Sequence, residues 1–155
     1  MQDVNAVCDY IIFRLKSEDN QPCNNLKLQK LLYYTQAWYL AFNSTPLFNG
    51  EFQAWIHGPV HRDIYDRFKD RKGLYSEMWL HDIQNANYYE LATDIKQHID
   101  DVLEIYAGLD GSQLERLTHS EDPWIEARRG IPDTQRCENT INQNTMIKYY
   151  QSKMK

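Results

Sequence analysis

The chain is 155 residues long, with 42% hydrophobic, 13% aromatic and 25% charged residues and a formal net charge of −5. That length suits one domain spanning 1–155 with a proper core, and the aromatic and aliphatic content excludes a disordered chain. No run of about 18 apolar residues is present to cross a membrane, and the acidic balance disfavours a protein that lives on nucleic-acid phosphates.

The start, Met1-Gln2-Asp3-Val4, shows no basic stretch followed by an apolar run, so no secretory signal is read there. Cys8, Cys23 and Cys137 are odd in number and far apart, which fits neither a disulfide framework nor a zinc site and points to the cytoplasm. The unusual feature is 11 Tyr and 4 Trp in a chain whose mean hydropathy is −0.72.

From Asp3 to Lys16, apolar residues recur at Val4, Val7, Cys8, Ile11, Ile12 and Leu15. The spacing predicts a helix with Asp3 as N-cap. A polar break over Ser17–Asn25 follows, and Leu26–Phe42 then reads as a helix apolar on nearly every face from Leu31 onward. Such a helix belongs at the centre of a bundle. Asn49-Gly50 between Phe48 and Phe52 predicts the turn of a small β-hairpin, with alternation through Ile56. Gly58-Pro59 is expected to end that strand and Pro59 to open a helix running to about Lys72.

Leu74–Asn87 reads as irregular. Tyr88 to Tyr106 predicts an amphipathic helix with Glu90, Asp94, Gln97, Asp101 and Glu104 on the wet side. Ser112 is expected to cap a helix through Thr118, Pro123 to open another through Arg128, and Thr145–Met154 to form the last. The expected fold is therefore mainly α: a compact helical bundle of about six helices with a small hairpin.

Chemistry-bearing clusters read mostly as scaffold. His57 and His61 are four apart, but Gly58-Pro59 interrupts the helix that a metal-binding pair at this spacing requires. His119-Ser120-Glu121-Asp122-Pro123-Trp124 reads as a helix start, with Ser120 or Asp122 as cap and Trp124 as its anchor in the core. No GxSxG, GxxxxGK[ST] or GxGxxG occurs, and no catalytic residue, cofactor or metal is expected. Arg62, Arg67, Lys69, Arg71 and Lys72 alternate with Asp63, Asp66 and Asp70, the pattern of a solvated helix face. The acidic stripe of Glu90, Asp94, Asp101 and Glu104 suits either a wet helix back or a surface that attracts a basic protein.

Leu26-Lys27-Leu28-Gln29-Lys30-Leu31-Leu32-Tyr33-Tyr34-Thr35-Gln36-Ala37-Trp38 resembles the signature helix of the Panacea-domain family, the SocA-like antitoxins often found in phage and prophage regions. The resemblance continues through Pro46-Leu47-Phe48, Ala54-Trp55-Ile56-His57-Gly58-Pro59-Val60 and the His119–Trp124 block, and ends near Tyr149-Tyr150. It implies an antitoxin that binds a cognate protein toxin encoded nearby, and in the SocA case also delivers it to an AAA+ protease. Homo-oligomerisation stays open, and the length argues against an added DNA-binding segment. Lys27, Lys30, Gln36, His57 and Arg62, polar members of these blocks, are candidates for a binding surface, or else hydrogen-bond the core helix to the turn. Two other classes remain: an enzyme reversing a toxin's modification through His57, His61, His119 or Glu121, and a phage-encoded transcriptional regulator.

Overall fold

The computed structural model describes residues 1–18 and 20–154. Position 19, inside the expected polar break, and position 155 lie outside them. Among the described residues there are seven α-helices and one two-stranded antiparallel sheet.

Helix α1 (Val4–Lys16) starts where expected, with the Asp3 carboxylate accepting from Asn5 N at 2.8 Å. Helix α2 (Asn25–Asn43) is capped by Asn24 Oδ1, which accepts from Lys27 N, and ends at Ser44 in the left-handed region, φ 59°. It is buried from Leu26 through Ala37, its polar residues included. Helices α4 (Thr93–Tyr106), α5 (Gly111–His119) and α7 (Gln143–Gln151), with α1 and the sheet, surround it. Asp100 ties α1 to α4, accepting from Tyr10 Oη at 2.9 Å and Arg14 Nε at 3.0 Å.

Several boundaries differ from the expectation. The hairpin turn is not Asn49-Gly50. Strands β1 (Phe52–Trp55) and β2 (Gly58–His61) pair with Phe52 opposite His61 and Trp55 opposite Gly58, so Ile56-His57 make the turn. Asn49-Gly50 instead shapes the entry to β1, with Gly50 at φ 95° and pressed against the His61 ring. Pro59 lies inside β2 and opens no helix. It sits opposite Ala54, whose N–H points away from β2 to Asn139 O at 2.8 Å, so the pair exchanges no hydrogen bond and the missing proline N–H costs nothing. The next helix is only α3 (Arg62–Phe68).

Residues 80–82 and 86–90 form two 3₁₀ turns, and α4 begins at Thr93 rather than Tyr88. The cap of α5 is Asp110, not Ser112: Asp110 Oδ1 accepts from Gln113 N while Gln113 Oε1 accepts from Asp110 N. Helix α6 (Asp122–Arg128) has neither Ser120 nor Asp122 as its cap; Glu121 occupies that position without capping through its side chain. Helix α7 takes Asn142 as its cap.

Polar side chains of α2 complete the backbone around it. Gln29 accepts from His61 N at 2.9 Å and donates to His61 O at 3.3 Å, and Lys30 Nζ donates to Pro59 O at 3.0 Å. The outer edge of β2 is thus satisfied by a helix instead of a third strand. Gln36 does the same for Leu47 N and Phe48 O, and Lys27 Nζ donates to Ala107 O at the end of α4.

Candidate functional site

Three regions concentrate chemistry. The first is the turn between β1 and β2. Gly58 takes φ 101°, and a Cβ there would fall 2.5 Å from Lys30 Cε and 2.9 Å from Thr118 Oγ1, so only glycine fits. Lys30 is fully buried, and desolvation pushes its ammonium down to about 7 against the opposing pull of Glu115. His57, half exposed, pairs through Nδ1 with Glu115 Oε1 at 3.1 Å.

A cavity of about 560 Å³ opens beside this turn, between the start of α2, the hairpin, the end of α3 and residues 136–138. Trp55 and Tyr65 stand edge to face in its wall, 4.8 Å between ring centres, with the Arg62 guanidinium over both.

The second region is a buried cluster under α5 and α6. Glu121 Oε1 accepts from Tyr34 Oη and Tyr150 Oη, each at 2.8 Å, and the Tyr33 hydroxyl lies 3.1 Å from that of Tyr150. Tyr34 stacks on Tyr106 at 4.0 Å, and Trp38 Nε1 donates to Tyr106 Oη. Burial raises the Glu121 carboxyl above its ordinary range despite both phenol donors. A carboxyl raised in the fold contributes stability below its unfolded pKa and loses it as pH rises through the folded value, so ionised Glu121 is a burden at neutral pH. Glu121→Gln keeps an oxygen for both phenols without the charge. It is expected to raise the melting temperature at pH 7.5 by about 2–4 °C, the equivalent of ~1 kcal/mol in a domain of this size. The gain should vanish near pH 4.5; a thermal melt at both pH values checks it.

The third region is the outer face of α2 and α4. Asp94, Asp101 and Glu104 are exposed on α4 as expected, while Glu90 falls outside this helix in the second 3₁₀ turn. Among them Ile105 is 65% exposed, and Phe42 of α2 is 60% exposed. Phe42 leans on Trp38 and on the ring of His98, which bonds through Nε2 to Thr35 O. His98, Asp101 and Ile105 lie three and four residues apart and share one side of α4.

The residues singled out by sequence are thus divided. Lys27, Lys30 and Gln36 are buried and hold backbone, His57 and Arg62 flank the cavity, and the α4 carboxylates face solvent. His57, His61, His119 and Glu121 keep separate company: Glu115, Asn49 O, the stacked Trp124 ring and the phenols respectively. Phe42, Ile105, Glu115, Lys69 and Arg136 went unnoticed as site residues, because each acquires neighbours only in the folded chain. Among the described residues no group of three or more His, Cys, Asp or Glu side chains could hold a metal, and no helix is long and apolar enough to cross a membrane.

The sequence itself matches a known family. The model for the SocA-like antitoxins, Panacea domain, matches residues 28–125, from within α2 into α6. Antitoxin SocA of Caulobacter vibrioides (strain NA1000 / CB15N) is 33% identical over 129 residues, covering 79% of this chain and 68% of that protein. The chain belongs to the SocA-like antitoxin family, a membership that supports an antitoxin role. No solved structure matches it significantly.

Proposed function

We propose that the protein neutralises a protein toxin by direct contact, and that the outer face of α2 and α4 makes that contact. The observation that carries this reading is two large apolar side chains standing in solvent on an antitoxin-family fold: Ile105, next to Glu104 and four residues from Asp101 on α4, and Phe42, against His98 of the same helix. Exposed apolar residues rimmed by charge mark protein-binding surfaces, and carboxylates of one sign select and steer a basic partner. The toxin surface that fits is therefore apolar at its centre and basic at its edge. Sequestration leaves toxin abundance unchanged, whereas delivery to an AAA+ protease shortens the toxin's half-life; a pulse-chase with and without the antitoxin separates the two.

Co-expression with the product of the adjacent gene should rescue growth and yield a co-purifying complex. Phe42→Asp with Ile105→Asp is expected to weaken that complex by about 30-fold or more, the loss of one interface hot spot, with no fall in melting temperature. Asp101→Lys with Glu104→Lys should slow association and flatten its salt dependence. Rescue without any detectable complex overturns direct contact, and an unweakened complex of the Phe42/Ile105 variant overturns the placement.

A further inference from the structure

The cavity beside the β1–β2 turn carries charge that runs against the rest of the protein. In a chain of net charge −5, it is lined by Lys30, Lys69, Lys72 and Arg136 against the single carboxylate of Glu138. Part of this charge is already matched. Lys69 lies 3.6 Å from Asp66, Lys72 3.0 Å from Asp82 and Arg136 3.2 Å from Glu138.

Lys30 is different. Its ammonium makes one hydrogen bond, to Pro59 O, and among the described residues no carboxylate pairs with it, although it is only 1% exposed. A buried amine resists carrying its charge, and an anion entering the cavity would stabilise the protonated form. The wall beside these basic groups is aromatic, made by Trp55 and Tyr65 standing edge to face. A volume of about 560 Å³ is also of the size that encloses small molecules rather than a protein surface.

We infer that this cavity binds a small phosphorylated ligand bearing a flat ring, the chemistry of a nucleoside monophosphate. The cations reach it from α2, from the end of α3 and from residues 136–138, three directions that suit the oxygens of a tetrahedral phosphate better than a planar carboxylate. Trp55, Tyr65 and the Arg62 guanidinium above them offer stacking surfaces for the ring. Ring and phosphate are read by different walls, so neither half alone binds well.

Calorimetric titration of the full chain at pH 7.5 and low salt, with AMP, GMP, CMP and UMP, tests this directly and needs no toxin. At least one of the four is expected to bind, with its nucleoside alone and inorganic phosphate alone weaker by roughly tenfold or more. Lys69→Glu with Arg136→Glu, both on exposed side chains, should weaken the nucleotide by a similar factor without altering the melting temperature. Lys30→Met should weaken it further. Failure of all four nucleotides to bind at millimolar concentration overturns the inference. So does binding that these substitutions leave unchanged, or inorganic phosphate binding as tightly as any nucleotide.

Discussion

Asp9→Ala is expected to lower stability by about 3–5 kcal/mol and the melting temperature by roughly 10 °C or more. Asp9 is completely buried on α1, and its Oδ1 accepts from Arg67 Nη2 of α3 at 2.5 Å; the Arg67 side chain is itself only 4% exposed. The carboxylate also accepts from Gln84 N at 3.3 Å, while Arg67 donates to Asp82 O at 3.0 Å and Asn5 Oδ1 at 3.2 Å. One ion pair therefore fastens α1, α3 and the segment between the two 3₁₀ turns. Removing the aspartate leaves a guanidinium buried without its counter-charge, and it is that stranded charge, rather than the lost attraction, that sets the size of the effect. Arg67→Met alone should be similarly damaging, since it strands the carboxylate instead. The double variant Asp9→Ala with Arg67→Met removes both charges and should recover much of the loss. Denaturant titration of the four proteins reads this as a coupling energy; strictly additive single effects would show that the two groups act independently.

The sequence carried the helices whose signals are local. Asp3 announces α1 by its cap, the unbroken apolar run from Leu26 announces α2, and Pro123 marks the start of α6. The hairpin was legible as a hairpin but misplaced, because Asn49-Gly50 carries the stronger turn signature. Nothing local shows that Pro59 can sit in β2, where the donor it lacks is not required because Ala54 N turns to Asn139 O. The start of α4 was set too early for a related reason: Tyr88 and Leu91 are buried in helical-looking spacing, yet Ala86–Glu90 is a 3₁₀ turn whose aromatic rings pack on Phe13 of α1. Glu90 therefore lies outside the α4 stripe. Of the two roles open to Lys27, Lys30 and Gln36, a binding surface or hydrogen bonds from the core helix, the structure shows the second. Their burial goes with the backbone groups of β2, residues 47–48 and the end of α4, which take their hydrogen-bond partners from these side chains. The cavity was invisible to sequence, since its walls come from stretches between 25 and 138 that no periodicity connects.

Lys30→Met should stabilise the protein at neutral pH, and by an amount that shrinks as pH rises. Burial takes the Lys30 ammonium from 10.5 to about 7, so between those values the unfolded chain holds a proton that the fold does not. Stability then increases with pH across that window, by roughly 1.36 kcal/mol per unit. At pH 7.5 this group withholds about 4 kcal/mol that would be present above pH 10.5. Methionine removes the charge and keeps most of the methylene packing. It leaves Pro59 O without its donor, a loss of about 1–3 kcal/mol. The net gain expected at pH 7.5 is about 1–3 kcal/mol, or about 5 °C in melting temperature. At pH 9.5 the wild-type lysine has recovered roughly 2–3 kcal/mol, so the advantage of the variant should disappear or reverse.

The wild-type protein itself should gain stability from pH 7 toward 9, with Lys27, also lowered by burial, acting in the same direction. The trend then turns. Cys8 and Cys23 are pushed by burial from 9.0 to about 12, so above pH 9 the unfolded chain gives up protons that the fold retains. Tyr10 and Tyr106, raised from 10.0 to about 12, add to the decline above pH 10. The cysteine and tyrosine contributions are common to both proteins, so the difference between their melting curves isolates Lys30. A difference that stays constant from pH 7.5 to 9.5 would mean that the amine is not desolvated in the fold. The counter-ion argument for a ligand in the adjoining cavity would then fall with it.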